Sequence, residues 1–107
     1  MPNRSFSSSY QTLPNSIKNL VKRICQEINP DEIILFGSRA RGDYRENSDF
    51  DIAVKASSIS PGAWDKLQLE LEEEPITLYK VDLVDFSQLN EDYQKRISSE
   101  GKILYVR

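Results

Sequence analysis

Six residues in this chain have the types and spacing to do chemistry, and they fall in two groups. Asp49 and Asp51 stand on either side of Phe50 in the run Ser48-Asp49-Phe50-Asp51-Ile52-Ala53-Val54. Side chains alternate along a strand, so Phe50, Ile52 and Val54 fall on one face and the two carboxylates on the other. Carboxylates at i and i+2 repel each other unless a cation lies between them. Hard divalent cations, Mg²⁺ above all, take such oxygen ligands together with substrate phosphates. The chain has no histidine and one cysteine, so zinc is a poor alternative. A third acid, Asp82, interrupts the apolar, strand-like run Thr77–Asp85. If that run lies beside the Asp49–Asp51 strand, Asp82 faces the same metals. Three carboxylates could hold a pair of ions roughly 3.5–4 Å apart, an arrangement that stabilises both attacking and leaving oxygens in phosphoryl chemistry.

The second group supplies the opposite charge. Ile33-Ile34-Leu35-Phe36 is apolar and β-rich, the pattern of a strand covered on both faces. Gly37 follows where the backbone must turn sharply, and glycine meets no steric penalty at positive φ. Ser38 is expected to cap a short helix beginning near Arg39, whose free N–H groups form an anion site. Arg41 adds permanent charge and a fork suited to phosphate oxygens. Each feature alone has a plain structural explanation: a strand-to-helix cap, the solvated face of an edge strand, an Asp82 paired with Lys80 or Lys55, a solubilising loop of Arg39, Arg41 and Arg45. Their joint occurrence at this spacing is what suits a triphosphate held by metal ions.

The pattern G-S-x10-D-x-D, here Gly37-Ser38 to Asp49-Phe50-Asp51, followed by a single Asp82 on a later strand, resembles the nucleotidyltransferases related to DNA polymerase beta. More narrowly, it resembles the minimal (MNT-type) nucleotidyltransferases paired with HEPN-domain partners. The resemblance runs from about Ile17 to Val106. It implies that Gly37, Ser38 and Arg41 contact the triphosphate, that Asp49 and Asp51 bridge Mg²⁺ (two ions), and that Asp82 is the third ligand and accepts the proton of the attacking hydroxyl. The implied activity is transfer of AMP from ATP to a tyrosine of a HEPN-type toxin, with this chain as the antitoxin. Two rivals stand beside it: adenylation of a small molecule such as an aminoglycoside, and a non-catalytic antitoxin acting by contact.

The elements that must position these residues follow in chain order. Residues 1–12, rich in Ser and Asn, read as a flexible arm, and residues 13–107 as a single domain. Pro14 opens a helix in which Ile17, Leu20, Val21, Ile24, Cys25 and Ile28 form one apolar stripe. The Ile33 strand, a short helix, a polar linker from Gly42 to Asn47 and the Phe50–Val54 strand come next. Pro61–Glu74 reads as a helix with Trp64, Leu67 and Leu71 on its buried side, and Ile76–Phe86 as the Asp82 strand. Ser87–Ser99 reads as a weakly amphipathic helix capped by Gly101, and Ile103–Val106 as a last strand. The fold class is therefore α/β (α+β), a mixed sheet of about four strands with helices mainly on one face.

Composition narrows the setting. A length of 107 residues fits one small core, and a net charge of −3 argues against bulk binding of nucleic acid. The lone Cys25 fits a reducing compartment, and no signal peptide or membrane-length apolar run is present, so the expected location is the cytoplasm. The chain is short for nucleotidyl transfer, and the missing wall of the site is expected from another chain, either a second copy or a different protein.

Overall fold

The structure, a computed structural model, describes residues 5–107. Five strands form one sheet in the order β1-β5-β2-β3-β4, where β1 is Ser5–Phe6, β2 Glu32–Phe36, β3 Phe50–Lys55, β4 Val81–Asp85 and β5 Lys102–Val106. Every neighbouring pair is antiparallel except β3 and β4, which run parallel. The connection that makes this parallel pair is α4, Pro61–Glu73. The other helices are α1 (Ser8–Gln11), α2 (Asn15–Ile28), α3 (Ser38–Arg41) and α5 (Glu91–Glu100). Among the described residues no helix is long and apolar enough to cross a membrane.

Strand alternation divides the core in two. Ile33 and Leu35 of β2, with Phe50, Ile52 and Val54 of β3, face α2 and α4. There Ile17, Leu20, Val21 and Ile24 of α2 are wholly or almost wholly buried, and each such side chain stabilises the fold by about 1.5–3 kcal/mol. All six residues of the expected α2 stripe are buried. Leu67 is the buried anchor of α4, with Trp64 and Leu71 packed beside it. The opposite face is thinner: Ile34, Phe36 and Ala53 meet Phe86 and Ile97, with Val84 and Leu89 at the margin. Helix α5 thus covers only part of that face: Phe36 is buried against it, whereas Asp51 is half-buried and Asp82 on β4 is exposed.

Three expectations are corrected. Residues 1–12 do not form a flexible arm over the described part: Ser5–Phe6 pairs with Tyr105–Val106, Ser7 N donates to Leu104 O at 3.0 Å, and Tyr10 is 4% exposed in the main core. The polar composition of the segment hides two aromatic anchors, Phe6 and Tyr10, whose rings stack at 4.4 Å; residues 1–4 of the expected arm lie outside the described residues. The segment adds a fifth strand to the four expected. The Asp82 strand begins at Val81 rather than Ile76, because Thr77 folds the chain into a turn: its Oγ1 accepts from Tyr79 N at 3.2 Å and meets Ser16 Oγ at 2.8 Å. The last helix begins at Glu91, after Asn90, whose Oδ1 accepts from Tyr93 N at 2.8 Å and caps it.

Candidate active site

Register brings the acids together. Asp51 is the β3 partner of Phe36 on one side and of Asp82 on the other. Paired residues in a parallel ladder point to the same face, so the Asp51 and Asp82 side chains leave the sheet side by side. Asp49 stands two residues before Asp51 and shares that face by alternation. It is the face of Ala53 and Val84, where α5 packs. The apolar positions are covered by the helix and the acidic ones are left at the open end.

Gly37 ties the bend to the acids. Its φ of 71° and ψ of −158° lie in a region that only glycine occupies without strain. A Cβ built there would stand 3.1 Å from the Asp51 carboxyl carbon and nearer still to its Oδ2. The Asp51 carboxylate therefore lies directly over the Gly37 α-carbon. Helix α3 follows at once, a single turn with Gly37 itself at the N-cap position and no side-chain cap. Ser38 is the first helical residue and does not cap, contrary to expectation, so its hydroxyl is not spent on α3. One turn carries little macrodipole. Anion-holding capacity at the bend rests on the Ser38 hydroxyl, the first amides of the turn and the neighbouring guanidinium.

The two arginines of the turn have different duties. Arg41 is about half exposed and loosely paired, its Nε 3.4 Å from Asp43 and one terminal nitrogen 3.9 Å from Glu100. Arg39 is fully engaged. It donates to Glu46 O at 2.9 Å and to Ser48 O at 3.1 and 3.2 Å, with its guanidinium 4.3 Å from the ring centres of both Tyr44 and Phe50. Arg39 braces the 42–49 loop against the strand and so holds the residue that precedes Asp49. The sequence reading assigns the phosphate contact to Arg41 and gives Arg39 no role of its own.

Electrostatics follow from this crowding. Burial pushes the Asp51 carboxyl above its usual range, and the neighbouring Asp82 and Asp49 push it further, while Arg41 pulls it back. Asp49 takes Lys80 Nζ as a partner at 4.0 Å, and Asp82 is exposed. Among the described residues no three acidic side chains are grouped tightly enough to grip a metal ion as they stand. The strands hold all three on one face. Beside them lies an open cleft of about 120 Å³, with Gly37, Arg41 and Asp51 on one wall and Tyr93, Arg96 and Glu100 of α5 on the other. The sequence reading missed these α5 residues; the signal was their spacing around Ile97 on one helix face. Another hollow of about 110 Å³, between α1 and Tyr44, contains none of the three acids.

Comparison with known proteins agrees with this geometry. Residues 17–107 match the family model described as polymerase beta, nucleotidyltransferase. The chain is 32% identical over 80 residues to a probable protein adenylyltransferase, MntA, of Haemophilus influenzae, covering 73% of this chain and 69% of that protein. It is 39% identical over 75 residues to a putative protein adenylyltransferase of Methanocaldococcus jannaschii, covering 69% of this chain and 74% of that one. The fold is similar to a crystallised toxin–antitoxin with AMP-PNP, with a TM-score of 0.61 at 29% identity, over 87% of this chain and 73% of the other. A glycine bend beside strand-borne acids thus sits inside a region that matches in both sequence and fold, and the chain belongs to the polymerase beta nucleotidyltransferase family.

Proposed function

We propose that this chain transfers AMP from ATP to a hydroxyl of a partner protein, and that the acceptor is a tyrosine of a HEPN-type toxin, which the transfer silences. The observation that carries the reading is the β3–β4 register, which sets Asp82 beside Asp51 while the Asp51 carboxylate rests on the Gly37 bend. The relatives named protein adenylyltransferases and the toxin–antitoxin neighbour support a protein acceptor.

The residues fit Mg²⁺. The donors are hard carboxylate oxygens on one face, and the Asp51 carboxyl is raised first by burial and then by Asp82 and Asp49, a negative crowding that a cation would relieve. Asp49, Asp51 and Asp82 would hold the metal, two ions in the reading favoured here. When bound, the ions neutralise phosphate charge and stabilise the attacking and leaving oxygens. The Gly37 backbone, the Ser38 hydroxyl and Arg41 hold the triphosphate. The acceptor oxygen forms a bond to the α-phosphorus as the bond from that phosphorus to the bridging oxygen breaks. Pyrophosphate leaves with the bonding electrons, and the hydroxyl proton passes to Asp82, whose exposure suits a hydroxyl brought in on another molecule. Positioning and charge neutralisation supply most of the acceleration in such chemistry. The cleft is open on the solvent side, so the acceptor protein itself supplies the remaining wall.

The test is mass spectrometry of a HEPN-type toxin after incubation with this chain, ATP and Mg²⁺. AMP on a toxin tyrosine, absent with Asp49→Asn or Asp51→Asn, is the expected result. AMP on a small molecule and never on the toxin would replace the acceptor class. Tight association with an unmodified toxin would favour neutralisation by contact.

A further inference from the structure

We propose that the cleft-lining side of α5 is a second wall of the nucleotide site, on which Arg96 takes the polyphosphate tail while Glu100 competes with that tail for Arg41. The proposal rests on the reading of the Gly37 bend as a triphosphate site and adds to it the residues opposite.

Tyr93, Arg96, Ile97 and Glu100 are spaced i, i+3, i+4 and i+7 and share one face of α5. Ile97 is 1% exposed and docks this face on Ile34 and Phe36. The Tyr93 ring meets Phe36 edge-on, with ring centres 6.1 Å apart. These two anchors fix the helix, and with it Arg96 and Glu100, across the cleft from Gly37 and Asp51. The wall is built into the core and does not depend on a loop.

Charge gives the wall its function. The chain carries 17 acidic and 14 basic residues, and Arg41, the other arginine lining this cleft, has acidic partners in Asp43 and Glu100. The Arg96 guanidinium has no ion-pair or hydrogen-bond partner among the described residues. It lines the cleft beside Asp51 and also the hollow on the far side of Tyr93. An arginine fork left unpaired over a phosphate-sized opening is suited to bidentate phosphate contact. Glu100 does the reverse. Its carboxylate stands 3.9 Å from one terminal nitrogen of Arg41, with Asp43 on the Nε side at 3.4 Å, a loose ion pair that competes by charge with an incoming phosphate oxygen. The incoming tail displaces Glu100 from Arg41 and is met by Arg96 from the other side.

Two substitutions on one helix face should therefore act with opposite sign. In titrations with a non-hydrolysable ATP analogue and Mg²⁺, Arg96→Gln should raise Kd about tenfold, the loss of one charge-assisted contact. Glu100→Gln should lower Kd by about two- to fivefold, the release of an exposed competing ion pair. Inorganic pyrophosphate, which keeps only the tail, should follow the same order, whereas AMP should bind all three proteins alike. Unchanged analogue binding in Arg96→Gln, weakened binding in Glu100→Gln, or an equal loss for AMP would overturn the proposal. Arg41→Gln separates the two levels of the argument. If it binds the analogue as the wild type does, the triphosphate reading of the bend fails; if it loses affinity while Arg96→Gln does not, the α5 wall alone fails.

Discussion

Replacing Gly37 with alanine should uncouple the acids from the fold at a calculable cost. The native φ of 71° with ψ of −158° is strained for any residue with a Cβ, by about 1–3 kcal/mol. For a domain of this size that is a fall of roughly 5–15 °C in Tm. The new methyl would also stand 3.1 Å from the Asp51 carboxyl carbon and inside contact with Oδ2. Relief requires that the carboxylate retreat by about 1 Å, since non-bonded heavy atoms settle near 3.5–4 Å. A displacement of that size costs about 10²-fold in a reaction that depends on positioning. Calorimetry and AMP-transfer rates on the same preparation read both effects. Gly62→Ala is the matched control: a Cβ there meets only Ser60 Oγ at 3.8 Å, so stability should hold or rise by up to ~1 kcal/mol and the rate should not change. A Gly37→Ala protein with wild-type rate would refute the claim that the bend seats the Asp51 carboxylate.

Further predictions follow from the same geometry. Asp51→Asn should abolish transfer, by at least about 10²–10³-fold, without lowering metal-free stability at neutral pH. Because burial, Asp82 and Asp49 raise the native Asp51 carboxyl, the unfolded chain releases this proton first as pH rises. Native stability is then lost through the window between the ordinary and the raised carboxylate value and stays reduced above it. The asparagine variant escapes that loss, so its Tm should equal or exceed wild type at neutral pH, and the advantage should disappear in acid; an Asn variant less stable at neutral pH contradicts the sign. Arg39→Ala should cost about 1–3 kcal/mol by removing three hydrogen bonds to two carbonyls and three ring contacts. It should also lower kcat more than it raises KM for ATP, and Arg39→Lys should not rescue it, since an ammonium cannot stack and bridge as a guanidinium does; rescue by lysine would show that charge alone suffices. Chelation of divalent metal should stop transfer and leave the far-ultraviolet circular dichroism unchanged, because the main core of α2, α4 and the sheet contains no acid; loss of structure on chelation would make the metal structural.

The core was legible wherever side-chain period alone decides placement. The α2 stripe could be read because its burial follows 3.6 residues per turn, β2 because an unbroken apolar run marks a strand buried on both faces, and β3 because its acids alternate with Phe50 and Ile52. The proximity of Asp82 to Asp51 required more, since nothing in Val81–Asp85 states its strand neighbour or its direction; α4 makes the parallel partner. Residues 5–12 misled because Ser, Gln and Thr outnumber the two aromatic anchors, and Tyr10 is buried by contacts far away in sequence. Arg39 and Arg41 look alike in sequence, two positions apart on a one-turn helix, and only the path of the 42–49 loop gives one of them internal carbonyls. Arg96 and Glu100 are spaced as a solvated i, i+4 pair would be, yet Glu100 turns away from its own helix to Arg41. Tertiary placement decided each of these cases, and no local pattern encodes it.

The most direct test of the site is diffraction from crystals grown with Mn²⁺ and a non-hydrolysable ATP analogue, with the metal located by its anomalous signal. The account predicts manganese within oxygen-ligand distance, about 2.0–2.3 Å, of Asp49 and Asp51, with Asp82 turned toward the same centre and the phosphates against Gly37 and Ser38. Metal bound elsewhere, or Asp82 facing away from a nucleotide that ignores the bend, would contradict it.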